Sequence, residues 1–591
     1  KSGKAVIEEK PEVRKAGGVY YTPQYIVDYI VKNTVGKLVE NKTPKEISKI
    51  KIADPACGSG SFLIGAYQYL LNWHKDFYSN NGKPSKGNKD NPLTPDGNLT
   101  TAEKKRILLN NIYGVDLDAN AVEVTKLSLL LKCMEGETEA SIVTQLKLFH
   151  DRILPTLDNN IKSGNSLIDV DYYNTEFDFG EEKKVKPFNW QKNFPEVFKQ
   201  GGFDCVIGNP PYIMLQNLET REVFDYALKK FRSAKYKIDT YQLFTEQAIK
   251  LLKEGGLLGF ITPNTFLKNI NAEPLREFIL DSTSIKEVLL FNYSVFAAAS
   301  VDTCIFILEK GEANKKSELE VNISDIVFEV KNISSVKQSA FANNNRTDFN
   351  LLISDNDSEV LNKILKNSIP LGDFCGAYFG IQTFDRTKYV SETKKNNHYE
   401  PVIDGGNIEP FNLKPSKEFV HYIPTAIKSG GSEIIYRQDR ICIRQIGATP
   451  VATFVPANIF TLNTIYNVYL KEKGLADLKF LLGIITSNAI KFFWKKNNSD
   501  EKKTFPKIKK EAILSIPVPT INKQNKNLHD EIEKLSNQLL QLNAEKQLQT
   551  LQSKIDQLQS RIDFCEQRIN EIVYELYGLN KDEIDLIEKK K

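Results

Sequence analysis

The chain has little of what metal and redox centres are built from. Its 591 residues include only five histidines, and no two of them lie close together, which excludes a zinc site. The seven cysteines (Cys57, Cys133, Cys205, Cys304, Cys375, Cys442 and Cys565) form no CxxC pair. An odd number of scattered thiols, mostly inside apolar runs, points to reduced structural thiols in a cytosol. No apolar run reaches the length of a membrane span, and no signal peptide is visible. Net charge is +4, which neither demands nor excludes nucleic acid, so any basic surface must be local. The phosphate-binding lysine of an NTPase loop is missing, which argues against ATP.

What is present reads as a soluble, multidomain chain, 41% apolar and 26% charged, long enough for on the order of two to four domains. It starts at Lys1 rather than at a methionine, so sequence upstream of it is expected.

Lys51–Asp54 reads as a short strand running into Pro55-Ala56-Cys57-Gly58-Ser59-Gly60-Ser61. A helix follows, with Phe62, Leu63, Ala66, Tyr69 and Leu70 on one apolar face. Strand, glycine turn and helix begin a doubly wound nucleotide-binding sheet. Gly58 and Gly60 would let a cofactor approach the backbone, beside a helix N-terminus that attracts anions. The next strand, Ile112–Asp116, ends in an acid suited to a ribose diol; in dinucleotide folds that acid comes about three times sooner. A polar insertion from Ser79 to Thr101 reads as the extra loop. Gly164-Asn165-Ser166 offers an amide that could read an adenine edge.

Asn209-Pro210-Pro211-Tyr212 carries the most information. It follows the apolar run Phe203–Gly208, at the carboxyl end of a buried strand, where open α/β sheets bind ligands. Two prolines fix an extended turn and donate no backbone hydrogen bonds. Their carbonyls stand beside an amide and an aromatic face, a set that suits a planar NH2 group such as that of adenine. Between two later strands, Val295–Ser300 reads as a small-residue loop with one exposed ring, Phe296.

In order, Gly18-Val19-Tyr20-Tyr21-Thr22-Pro23, Asp54 to Gly60, Gly114-Val115-Asp116, Gly164-Asn165-Ser166 and Asn209 to Tyr212 resemble the gamma class of S-adenosylmethionine-dependent DNA adenine-N6 methyltransferases. The resemblance covers residues 15–310. It implies a doubly wound, Rossmann-like methyltransferase sheet with S-adenosylmethionine as cofactor and double-stranded DNA as partner. Tyr21, Thr22 and Pro23 would close over the methionine end of the cofactor. Asp54, Ala56, Cys57, Gly58 and Gly60 would line it, Asp116 would hold the ribose and Asn165 the adenine; the class often has Asp at that last position. Asn209 and the Pro210 carbonyl would accept the two N6 protons of the target, with Pro211 fixing the turn. Tyr212 would stack on the flipped base, with Phe296 on its other side. No metal enters this step.

From Ile369 short strands and turns suggest a mixed α+β recognition domain. Gly380-Ile381-Gln382-Thr383 and Asp404-Gly405-Gly406-Asn407-Ile408 resemble phrases of the specificity domains of such enzymes. Arg437, Arg440 and Arg444 are candidates to face DNA. So are Lys491, Trp494, Lys495 and Lys496, in a basic run interleaved with rings that continues through Lys502, Lys503, Lys507, Lys509 and Lys510. From Leu528 the tail is helical, with two leucine rhythms out of step near Asn543, implying a stutter or a helical hairpin that Gly578 ends.

These readings divide the chain into a lead-in (1–16), a catalytic α/β domain (17–311), a polar connection (312–368), a recognition domain (369–520) and a helical segment (521–591). The layout resembles type IIG restriction-modification polypeptides, which implies a nuclease upstream, and magnesium only with that nuclease. A monomer is expected. Three alternatives remain open: methylation of RNA, methylation of a protein glutamine, and a catalytically silent DNA-specificity subunit.

Overall fold

The computed structural model describes residues 21–81, 92–137, 155–174, 185–217, 221–235, 237–296, 301–312, 317–351, 353, 355–366, 368–472, 474, 476–497 and 507–588. Two compact units divide at Leu351/Leu352.

The first unit is built on nine strands: β1 (Ile52–Asp54), β2 (Ile112–Asp116), β3 (Ile161–Ser163), β4 (Phe203–Gly208), β5 (Leu252–Pro263), β6 (Thr283–Phe291), β7 (Thr303–Lys310), β8 (Glu318–Ser324) and β9 (Val330–Lys337). Their order is β3-β2-β1-β4-β5-β7-β6-β8-β9. β1 to β5 run parallel, and β7 is antiparallel to both β5 and β6. The chain winds outward in both directions from β1 and β4, so their carboxyl ends form the switch point where such sheets bind ligands.

Alternating residues of one strand serve two separate cores, as the two-residue strand period requires. Cys205 and Ile207 of β4, Leu289 of β6 and Ile305 of β7 join one cluster. Phe203, Val206, Val288 and Phe306 join the other. The first cluster is covered by helices α1 (Gln24–Asn33), α2 (Ser61–Asn80) and α3 (Ala119–Met134), the second by α4 (Thr240–Leu251) and its neighbours. α1 buries Ile26, Val27, Ile30 and Val31 along one stripe, the spacing of an amphipathic helix.

The expected boundary at 311 is corrected here. β8 pairs parallel with β6, and β9 pairs with β8, so much of the stretch read as a connection belongs to the catalytic sheet.

The second unit holds two four-stranded sheets. One orders Cys375–Phe379, Ile465–Leu470, Arg440–Arg444 and Ala452–Val455; the other orders Val390–Ser391, Glu418–His421, Tyr399–Ile403 and Phe460–Thr461. Its largest core takes in α5 (Leu478–Thr486), α6 (Asn488–Asn497), α7 (Lys526–Gln547) and α8 (Gln552–Tyr577). The break in the leucine rhythm is a hairpin: α7 and α8 pack through Leu535, Leu539, Leu542, Leu558 and Ile562. Gly578 ends α8 in the left-handed conformation, at φ 66°, which a glycine adopts without strain. The expected lead-in (1–16) lies outside the described residues, as do Gly18, Val19 and Tyr20.

Candidate functional site

The glycine turn after β1 is held from both flanks. The Gly58 N–H donates to Asp116 Oδ2 at 2.8 Å, and its carbonyl accepts the Thr125 hydroxyl at 2.7 Å. Gly58 (φ 53°) and Gly60 (φ 88°) are both left-handed. A Cβ on Gly60 would meet Thr125 Cγ2 at 2.9 Å, whereas the space beside Gly58 is open. That open face is a cradle a ligand can enter. The Cys57 N–H bonds the Val115 carbonyl at 3.1 Å, and burial raises the thiol's pKa, so Cys57 is wall rather than nucleophile.

Two carboxyl groups frame this turn. Asp54 is buried, and its Oδ1 accepts the Ala56 N–H at 3.0 Å. Burial pushes its pKa up to about 8; the Ala56 bond opposes the shift and the charge of Asp116 adds to it. Asp116 Oδ1 accepts the Asp118 N–H at 2.9 Å, and burial raises this carboxyl too. Asp54, buried and without an ion pair among the described residues, favours a ligand that carries positive charge, whereas Asp116 is half-buried and feels the charge of Lys186. Asn165 turns its Oδ1 to the Leu167 N–H (3.1 Å), and Ser166 Oγ donates to the Pro55 carbonyl at 2.5 Å. The Asn165 strip is thereby tied to the glycine turn.

β4 carries the tetrapeptide to the same place. A Cβ on Gly208 would meet Asp54 Oδ1 at 2.8 Å, so Asn209 follows directly on the residue that touches the buried acid. Asn209 Nδ2 donates to Thr22 Oγ1 at 3.1 Å. The Tyr212 hydroxyl reaches Asn209 Oδ1 at 2.6 Å and the Ile261 carbonyl at 3.0 Å. The Tyr212 ring meets Tyr241 edge-on, with centroids 6.2 Å apart. Thr240 clasps the loop: its hydroxyl donates to the Pro211 carbonyl at 2.5 Å and accepts the Ile213 N–H at 3.1 Å. Among the described residues the Pro210 carbonyl takes no hydrogen bond, which leaves it available as an acceptor.

Thr22, Asp54, Asp116, Asn165 and Asn209 to Tyr212 are thus linked through one continuous set of contacts. Tyr21 stands 67% exposed beside buried Thr22, and Pro23 precedes α1. Phe296 differs from expectation. Its ring is buried in the core that Tyr212 borders, so no exposed ring stands there. Ala297–Ser300 lie outside the described residues. Thr125 and Thr240 had not been singled out in the sequence; the only sign of Thr240 is its position behind Asp239 at a helix start.

Comparison with known proteins bears on both units. Residues 110–296 match the Eco57I restriction-modification methylase family, and residues 400–518 match the TaqI-like C-terminal specificity domain. One segment of the chain is thus similar to a restriction-modification methylase and a later one to a specificity domain. RM.Eco57I of Escherichia coli, a type II restriction enzyme and methyltransferase, is 33% identical over 390 residues, 64% of this chain and 37% of that protein. The adenine-specific methyltransferase PglX of Streptomyces coelicolor is 26% identical over 43% of this chain and 20% of its own length. The chain therefore spans less than half the length of either relative. The type IIL restriction-modification enzyme MmeI, solved with DNA, superposes with a TM-score of 0.58 at 12% identity, covering 96% of this chain and 75% of that one. That likeness shows a shared fold.

In the second unit, several residues expected to face DNA are spent inside it. Arg440 is fully buried: its Nε donates to Asn467 Oδ1 at 2.7 Å, and its other nitrogens reach the carbonyls of Gln438, Pro456 and Ile459. Arg437 is held by Glu400 at 2.6 Å and Glu433 at 2.8 Å. Arg444 is half-buried, and its Nε has no hydrogen-bond partner. Trp494 lies in the core with Phe492 and Phe493, and Lys496 pairs with buried Asp357 at 2.6 Å. The DNA expectation is therefore corrected for Arg440 and Trp494. Their strand and helix are covered on the sides that bear them. Lys491 is half-buried and Lys495 exposed; Lys502 and Lys503 lie outside the described residues.

Proposed function

We propose that the chain is a site-specific DNA methyltransferase that moves a methyl group from S-adenosylmethionine to N6 of an adenine flipped out of duplex DNA. The observation that carries the reading is the junction of Asn209 to Tyr212 with the Asp54–Gly60 turn through Gly208. The open face of Gly58, the buried Asp54 and the half-buried Asp116 fit a cofactor with a cationic end and a ribose. When bound, S-adenosylmethionine supplies an electrophilic methyl group.

The chain's own residues do the rest by position and electrostatics. The N6 lone pair of adenine is delocalised into the ring and is a poor nucleophile. Asn209 Oδ1 and the Pro210 carbonyl accept the two N6 protons, draw the nitrogen toward a tetrahedral shape and aim its lone pair. Tyr212 offers its ring face to the flipped base, since a base inside the stack is out of reach. Phe296, from its buried place in the core that Tyr212 borders, would back the base on the far side. Asp116 accepts the ribose hydroxyls, and Asn165 Nδ2 addresses the cofactor's adenine.

The methylase–specificity pairing and the restriction enzymes among the relatives support a place in a restriction-modification system. Cleavage would belong to a nuclease elsewhere in the longer protein, and magnesium would be needed only there. The experiment is methyl transfer from labelled S-adenosylmethionine to duplex DNA, with the modified positions mapped. N6-methyladenine in one fixed context is the expected result. Transfer to RNA or to a protein glutamine, with none to DNA, overturns the reading.

A further inference from the structure

With Arg440 and Trp494 buried and Lys496 paired to Asp357, the exposed residues of the second unit are the ones open to DNA. Its most exposed ring is Phe384, at 70%. Phe384 follows a two-stranded antiparallel ribbon in which Gln382 pairs with Ser429 and Thr383 with Ile427. The register slips between those pairs, so Lys428 is the extra residue of a bulge, a device that re-aims a side chain. Lys428 and Ser429 are exposed, Gln382 and Thr383 half-exposed. Among the described residues Lys428 forms no ion pair.

The root of the ribbon is locked backbone against backbone. A Cβ on Gly380 would fall 2.0 Å from the Leu462 carbonyl oxygen, and one on Gly430 (φ 76°) would fall 2.2 Å from the Gly380 oxygen. The Tyr436 hydroxyl donates to the Gly430 carbonyl at 2.6 Å, and the Tyr422 hydroxyl to that of Gly431 at 2.7 Å. The Phe384 N–H is held by the Ala426 carbonyl at 3.2 Å. Beyond it, Asp385 caps Arg386–Tyr389, and Arg386 makes a two-pronged bond to Glu418 at 3.0 and 2.9 Å. An exposed ring on a rigid mount gains free energy when a partner covers it.

We propose that this ribbon, carrying Gln382, Thr383, Phe384, Lys428 and Ser429, enters the major groove of duplex DNA and sets the sequence preference of the enzyme. The inference rests on the methyltransferase reading above and names the specificity surface that reading needs. The major groove admits a two-stranded ribbon, and the residue types match its base edges. Glutamine reads adenine, lysine reads guanine, Ser and Thr bond either, and an apolar ring packs on the thymine methyl. Exposed Lys388, beside the Tyr389 ring at 5.4 Å, adds a cation for the flanking phosphates.

The test uses the full chain with Gln382→Ala, Phe384→Ala and Lys428→Ala made singly. Methyl transfer to duplexes of randomised sequence is mapped, and S-adenosylmethionine binding and the unfolding midpoint serve as controls. Gln382→Ala or Phe384→Ala should lower kcat/KM for the wild-type context about five- to a hundredfold and widen the bases tolerated at one or two positions. Lys428→Ala should do the same or, if it meets a phosphate, weaken all sequences alike with a salt slope smaller by about one. Unchanged context and rate in the glutamine and phenylalanine variants would overturn the proposal. If the unaltered chain transfers nothing to DNA, the methylation reading falls instead. The ribbon is then judged by duplex binding, where equal affinity of parent and variants overturns it.

Discussion

The hydroxyl of Tyr212 lies 2.6 Å from Asn209 Oδ1 and 3.0 Å from the Ile261 carbonyl oxygen, but it has only one proton to give. While that proton points at Asn209, it takes one of the two lone pairs of the oxygen that a target N6–H would also use; turned to Ile261, it leaves both free. The residue proposed to stack on the base thus also bonds the amide proposed to orient it. Tyr212→Phe should keep cofactor binding and lower kcat by about two- to tenfold, the worth of one ordinary hydrogen bond. Tyr212→Ala should cost far more, by losing the stacking face. Single-turnover transfer, with base flipping followed by a fluorescent adenine analogue, separates the two; equal losses would refute the dual role.

Asn209→Ala removes one acceptor outright. Loss of one such electrostatic partner is expected to slow transfer about a hundred- to a thousandfold, with DNA and cofactor binding retained. Thr22→Val leaves the Asn209 amide without its anchor at 3.1 Å. It should lower kcat more than it raises KM, and Thr22→Ser should restore it. A Thr22→Ser variant as impaired as Thr22→Val would mean that packing, not the hydroxyl, matters there.

Asp54 sets a pH signature. Its folded pKa of about 8 lies above the ordinary 3.8, so the folded, unliganded state holds the proton more tightly than the unfolded chain does. That contribution to stability is full below about pH 4 and is lost as pH rises to about 8. A cationic cofactor favours the carboxylate, which reverses the sign for binding. S-adenosylmethionine should bind more tightly as pH rises through 8 and release a proton at pH 7. Calorimetry in two buffers of different ionisation enthalpy measures that proton; Asp54→Asn should abolish it. No release from the unaltered chain would show that Asp54 does not face the cation.

Arg440 and Arg437 separate structure from surface. Arg440→Met leaves Asn467 and three carbonyls without their donor in a buried place, and should destabilise the second unit by at least about 2 kcal/mol. Arg437→Ala removes half-exposed pairs and should change stability by less than about 1 kcal/mol. Denaturant unfolding checks both. A neutral Arg440→Met would mean that its bonds are not holding the strands.

The sequence made the chemistry legible because glycines and prolines punctuate strand ends, and the ligand groups of an α/β sheet gather at those ends. Asp116 and Asn209 could be named as candidates for that reason, Asp54 only through the family resemblance. Burial of a cation could not be read in the same way. In Arg440-Ile441-Cys442-Ile443-Arg444 the alternation places both arginines on one face, but only the fold brings carbonyls from three other residues to Arg440. Trp494 had the same ambiguity, since a ring among lysines reads equally as a stacking platform or as the apolar stripe of a helix. β8 does carry the alternation of a strand covered on one side, at Leu319, Val321 and Ile323, but within a polar stretch; β9 has none to read, because as the edge strand it buries only Val336 fully.

That polar last strand has a consequence for handling the protein. β6 and β7 are apolar on both faces, and β9 closes their sheet with Lys331, Ser334, Ser335 and Lys337 along a rim. Charge and small hydroxyls on a rim discourage pairing with a neighbouring molecule. A fragment cut at residue 311 would strip β8 and β9 away and leave β6 with a bare row of backbone donors and acceptors. It should self-associate through that row, whereas a fragment ending at 351 should stay monodisperse. The forty residues that look most like a tether act as a hem that keeps one catalytic sheet from growing onto the next.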